Sequence, residues 1–107
     1  MIKSTIGCAF FFLLFSFAKA QKEVTSDDLF KSAKYAAFED KNYDKAKMYA
    51  RQALLISPGY ADIEIFLGRI FTWQKQYDSA RYQFANVLTT TPVNEDASIA
   101  YTDLEYW

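Results

Sequence analysis

The chain has 107 residues, with 12 Lys and Arg against 13 Asp and Glu, no His, and a formal net charge of −1. That length holds one domain at most. The missing His excludes His-based catalytic triads and His-ligated metals, and the charge balance offers no basic footprint for a phosphate backbone.

The first stretch is an address. Lys3 is followed by an apolar run, Ile6 to Phe15, and then by Ser16-Phe17-Ala18-Lys19-Ala20. A basic start, a short apolar core and an Ala-x-Ala site predict a signal peptide over 1–20, cleaved after Ala20. The run falls short of the ~20 apolar residues of a membrane span, which argues against an uncleaved anchor. Cleavage leaves an 87-residue chain with 10 Lys and Arg against 13 Asp and Glu, a net charge of −3. Cys8 is the only cysteine and lies inside this signal. The apolar core follows Cys8 instead of preceding it, which argues against lipid attachment at Thr5-Ile6-Gly7-Cys8. The exported chain then has no thiol for a disulfide or a metal.

Residues 21–26 read as a polar lead-in. Ser26 is the expected N-cap of a first helix, with Asp27 and Asp28 in its first turn, where carboxylates favour the positive end of the helix dipole. Leu29, Phe30, Ala33, Ala37 and Phe38 follow at helical spacing. Glu39 to Asn42 is a polar turn. Tyr43 to Ile56 is a second helix, with Ala46, Ala50, Ala53 and Leu54 on one face, and Ser57-Pro58-Gly59 stops it. Ile63, Phe66, Leu67, Ile70 and Phe71 form the stripe of a third helix. A Gly in a helix interior costs ~1 kcal/mol relative to Ala, so Gly68 implies a close approach by the facing helix, expected near Ala80. Lys75-Gln76 is the next turn. Tyr77, Ala80, Phe84, Val87 and Leu88 make a fourth stripe, which Thr89-Thr90-Thr91-Pro92 ends. Asn94 caps a fifth helix that carries Glu95 and Asp96 in its first turn, followed by Ile99, Ala100, Tyr101, Leu104, Tyr106 and Trp107.

These elements repeat. A shift of 34 residues places Lys41 on Lys75, Tyr43 on Tyr77, Asp44 on Asp78, Ala46 on Ala80, Leu54 on Leu88 and Pro58 on Pro92. The same shift places Asp62 on Asp96, Ile65 on Ile99 and Trp73 on Trp107. That period is the spacing of helix-turn-helix repeat units. On these residues the chain resembles the tetratricopeptide repeat family. In the unit starting at Ala61, Leu67-Gly68, Phe71, Tyr77, Ala80, Phe84 and Pro92 match the family's signature. In the unit starting at Asp27, the matches are Phe30, Tyr43, Ala46, Ala53 and Pro58. There Lys34 replaces the small Gly, and Ala37 and Ala50 replace aromatics, departures that predict looser packing in the first hairpin. The expected fold is all-α, about two and a half antiparallel helical hairpins over 27–107, divided as 27–60, 61–94 and a shortened 95–107.

Catalytic and cofactor motifs are missing from the sequence. Gly7, Gly59 and Gly68 are isolated and form no phosphate loop. The acid pairs Asp27-Asp28, Glu39-Asp40 and Glu95-Asp96 sit at helix ends, where caps and dipole partners account for them. Lys41, Lys45, Lys47 and Arg51 read as a solvated helix face. No nucleophile–base arrangement, cofactor site or metal site is expected, and hence no enzyme.

The resemblance does imply a binding surface. In the family, the first helix of each hairpin lines a concave groove. The matching positions are Lys31, Tyr35, Phe38, Ile65, Arg69, Thr72, Trp73, Ile99, Asp103, Tyr106 and Trp107. Aromatics with an Arg suit an extended peptide or a docking helix, while Trp73 and Trp107 equally suit packing between hairpins. Tyr35, Phe66 and Asp96 occupy places where family members that clamp a C-terminal carboxylate carry Lys, Asn or Arg, which argues against that clamp.

A narrower resemblance, on Gly68-Arg69 with Trp73 and on Asp103 to Trp107, is to the periplasmic repeat region of YaiO-type outer-membrane β-barrel proteins. It implies a periplasmic scaffold beside the outer membrane, binding a protein partner or a neighbouring barrel domain. The alternative is a module that helps handle an exported polysaccharide. The fifth helix is expected to expose Ile99, Leu104, Tyr106 and Trp107, as the open end of the N-terminal piece of a longer protein.

Overall fold

The computed structural model describes residues 23–104, so the predicted signal peptide and Glu105 to Trp107 lie outside the described residues. Five helices follow in order: α1 Ser26–Phe38, α2 Tyr43–Ile56, α3 Ala61–Trp73, α4 Tyr77–Thr90 and α5 Glu95–Leu104. No strand occurs among the described residues. The 34-residue period survives in three dimensions: α4 begins and ends 34 residues after α2, and α5 begins 34 after α3. The Thr run ends α4 later than its composition predicts. Thr89 and Thr90 are still helical, and Thr91 is the C-cap.

The helix ends show which local signals operate. Thr25, not Ser26, caps α1. Its hydroxyl accepts from the Asp28 backbone N–H at 3.1 Å, while the Asp28 carboxylate accepts from the Thr25 N–H at 3.1 Å, a capping box. Ser26 is instead the first helical residue, and its buried hydroxyl accepts from Ser57 Oγ at 2.8 Å, tying α1 to the end of α2. Asn42 caps α2 through the Lys45 N–H, and Asn94 caps α5 through the Ala97 N–H. The two turns inside the hairpins repeat as well. Lys41 and Lys75, 34 residues apart, both take left-handed conformations, with φ of 55° and 62°.

α1 and α2 share the most extensive contact of any helix pair. This overturns the expectation of loose packing in the first hairpin. Ala33, Ala36 and Ala37 of α1 and Ala46, Ala50 and Ala53 of α2 are all fully buried. Alanines on both faces let the helix axes approach without the Gly and aromatics of the family signature. The second hairpin closes differently. A Cβ on Gly68 would lie 2.6 Å from Phe84 Cε1 and 2.8 Å from its Cζ. The side chain that needs Gly68 is therefore Phe84, one turn beyond Ala80. Ile63, Ile70, Phe84 and Val87 are among the largest fully buried side chains, and all four belong to this hairpin.

The hairpins are joined by rings. Phe30 meets Tyr60 and Phe66 edge-on at 6.3 and 5.4 Å between centroids. Phe38 meets Phe66 and Trp73 edge-on at 6.1 and 5.8 Å, and Tyr43 lies 5.8 Å from Trp73. Six aromatic residues thus form one continuous seam between α1–α2 and α3; four of its five ring pairs take the edge-on geometry that ring quadrupoles favour, and Tyr43–Trp73 is tilted at 42°. The Tyr60 hydroxyl adds a hydrogen bond to Asp27 Oδ1 at 2.9 Å across the same seam.

Candidate functional site

Two adjoining clefts lie along the first helices of the hairpins. One, of about 350 Å³, runs between α3 and α5 and is lined by Arg69, Thr72, Trp73, Phe84, Ile99, Ala100, Asp103 and Leu104. The other, of about 280 Å³, runs between α1 and α3 and includes Phe30, Lys34, Phe38, Asp62, Ile65, Phe66 and Asp96. Arg69 and Trp73 line both, so they form the ridge between them. The helical period explains this: positions 62, 65, 69 and 73 on α3 follow the spacing that keeps side chains on one face.

The structure sorts the sequence-derived groove residues into three groups. Phe38, Ile65, Arg69, Thr72, Trp73, Ile99 and Asp103 come together around these two clefts. Tyr35 does not. It is 62% exposed and lies with Ser32, Asp40, Lys45 and Tyr49 on the other side of α1. Lys31 is exposed and lines neither cleft. On α1, Phe30 and Lys34 take the places expected of Lys31 and Tyr35, because the inter-hairpin seam rotates that face of the helix toward α3. Tyr106 and Trp107 lie outside the described residues. Sequence reasoning missed Phe30 and Lys34; the successive steps of four from Phe30 to Lys34 and from Lys34 to Phe38 were the available signal.

Several groove side chains are already committed. The Thr72 hydroxyl donates to the Gly68 carbonyl at 3.0 Å within its own helix, so it offers a ligand an acceptor oxygen and its methyl but no donor. The Lys34 ammonium sits 4.3 Å from the centroid of the Phe30 ring, a cation–π contact. Trp73 is 43% exposed while one part packs on Phe38 and Tyr43. It is both a seam residue and a wall of the groove, so the two roles offered by its sequence coexist. Arg69 differs. It is exposed, and neither of the ion pairs recorded among the described residues, Asp44–Lys47 and Asp78–Arg81, involves it.

The basic cluster on α2 is not the uniformly solvated face its sequence predicts. Lys47 is only 9% exposed. Its ammonium lies 5.1 Å from the Phe71 ring centroid and 3.5 Å from Asp44 Oδ1, and Arg51 lies over the same ring at 5.8 Å. Asp44 also accepts from Gln74 Nε2 at 3.2 Å. That amide, together with the lysine, holds the Asp44 carboxyl below the usual range. The Tyr60 phenol is pushed up by its hydrogen bond to the Asp27 carboxylate. Glu64 is raised by burial alone. Among the described residues no group of three or more metal-ligating side chains occurs, and no helix is long and apolar enough to cross a membrane.

The tetratricopeptide repeat family profile matches residues 37–104. The chain belongs to the tetratricopeptide repeat family. The match starts at Ala37, near the end of α1, and therefore leaves out most of the helix in which Lys34 departs from the signature. No curated protein matches the chain significantly. Tetratricopeptide repeats generally mediate protein–protein interaction and are typically non-enzymatic scaffolds.

Proposed function

We propose that this chain is an exported helical-repeat scaffold that holds a protein partner, or a neighbouring domain, in the double cleft lined by α1, α3 and α5. The observation that carries the reading is the convergence of Phe38, Ile65, Arg69, Trp73, Ile99 and Asp103 on one face. Aromatic and Arg side chains in concave, partly dehydrated sites are the usual anchors of protein recognition. Export rests on Lys3, the apolar run to Phe15 and the Ala18-Lys19-Ala20 site. The likeness of Gly68-Arg69, Trp73 and Asp103 to Trp107 to YaiO-type repeat regions supports a periplasmic place beside the outer membrane, with a β-barrel as the neighbouring domain.

Photo-crosslinking tests the surface. A photoreactive residue in place of Ile99, in the groove, should trap the partner. The same residue in place of Met48, exposed on α2 away from both clefts, should not. Adducts from position 48 alone would overturn the groove reading. Export is read separately, by mass spectrometry of the secreted chain, which should begin at Gln21.

A further inference from the structure

Resting on the groove reading above, we infer that the preferred ligand is a peptide segment with two large apolar side chains and one carboxylate between them. The geometry has three parts. The two clefts, of about 350 and 280 Å³, are separate apolar receptacles, one walled by Phe84, Ile99 and Leu104 and the other by Phe30, Phe38 and Phe66. Each is large enough for a bulky side chain, so a partner that fills both needs two anchors.

Arg69 stands on the ridge between them. It is exposed and takes part in neither of the recorded ion pairs. A guanidinium presents a planar fork of donors that fits a carboxylate through two parallel hydrogen bonds. The part of the ligand that crosses the ridge therefore gains most by carrying Asp or Glu.

The rest of the groove carries the opposite sign. Asp62 and Asp96 line the α1–α3 cleft, and Asp103 lines the α3–α5 cleft. None of the three is in a recorded ion pair. Lys34, the other groove cation, is already engaged over the Phe30 ring. Further carboxylates on the ligand would meet these aspartates and be repelled, whereas Lys or Arg beside the anchors would be attracted. The complementary segment carries two apolar anchors, a single acid between them, and no further carboxylate. A bidentate Arg–carboxylate contact adds geometric selectivity to its energy, so the single central acid is the discriminating feature.

Selection from a library of displayed random 12-residue peptides against the full chain tests this. Enriched peptides should share two bulky apolar positions with Asp or Glu between them. For a synthetic peptide made from the enriched pattern, Arg69→Gln should weaken binding by about tenfold, the effect of losing a charge-assisted contact. Replacing the peptide's central acid by its amide should weaken binding to the unaltered chain by a similar factor and have little further effect on Arg69→Gln. Enriched peptides that lack the central acid, or that bind Arg69→Gln unchanged while Ile99→Asp abolishes binding, would overturn the charge pattern and leave the groove reading standing. Failure to enrich any peptide, or enrichment of peptides insensitive to Ile99→Asp, would overturn both. Circular dichroism of each variant should keep the helical signal of the parent, so that lost binding reports the groove.

Discussion

The two complete hairpins share a period and a backbone but close by different chemistry. α1 and α2 meet through six fully buried alanines. α3 and α4 meet where Phe84 covers Gly68, with Ile63, Ile70 and Val87 fully buried alongside. Small-on-small contact brings two helices together while burying little apolar area, and the hydrophobic term scales with area. The first hairpin is therefore well packed and weakly self-sufficient. Its larger side chains, Phe30 and Phe38, turn outward onto Phe66 and Trp73, so its stability is borrowed across the aromatic seam. Tight packing and independent stability are separate properties.

The sharpest way to break this contrast is Phe84→Ala. It empties a fully buried ring site in the second hairpin, and large-to-small changes of this kind cost ~3–5 kcal/mol. Because the first hairpin leans on the second, denaturant unfolding of Phe84→Ala should remain one transition at lower midpoint. Two separated transitions, with the α1–α2 half melting last, would reverse the dependence.

A pair of small-residue changes comes next. Gly68→Ala gains helix propensity but drives a methyl into the buried Phe84 ring, and Ala50→Val adds methyls to the alanine contact of the first hairpin. Overpacking costs ~1–3 kcal/mol. Both variants should melt below the parent. Unchanged midpoint for Gly68→Ala would mean that Phe84 can move aside, and would remove the steric reason for glycine there.

The caps sharpen the comparison further. Asn42 caps α2 with its side chain, whereas Gln76, at the same repeat position, makes no cap hydrogen bond to α4. Asn42→Ala should cost ~1 kcal/mol and Gln76→Asn should recover a similar amount, both read from equilibrium denaturation.

The smallest expected effect is pH-dependent. Glu64 lies in the first turn of α3, where the helix dipole favours its carboxylate, yet burial wins and raises its pKa. A raised folded-state pKa contributes stability that is present below the ordinary glutamate range and lost as pH rises through the folded value. Glu64→Gln should therefore match the parent near pH 4 and exceed it at pH 7, by no more than ~0.5 kcal/mol at a partly solvated site. A gap that widens on acidification would contradict this sign.

How much was legible follows from these particulars. Phe38, Ile65, Arg69 and Trp73 could be placed in a groove because helical period and repeat register fix which positions share a face. Tyr35 and Phe30 could not be ordered in that way. They differ only in the rotation of α1 about its axis, and the seam with Phe66 decided it. Leu104 illustrates the same limit: its expected exposure fails, since it is 2% exposed at the wall of a cleft, while Ile99 on the same helix is 51% exposed.

The sequence by itself determined the helices, their turns and the 34-residue register, since these depend on propensity, caps and periodicity within a few residues of each position. Only the tertiary structure decided that alanines close the first hairpin, that Phe84 is the partner of Gly68, that Lys47 is buried against Phe71, and that Arg69 stands between two apolar clefts. Each is a contact between residues distant in the chain. Its energy depends on how side chains interlock across helices, and a one-dimensional pattern does not carry that information.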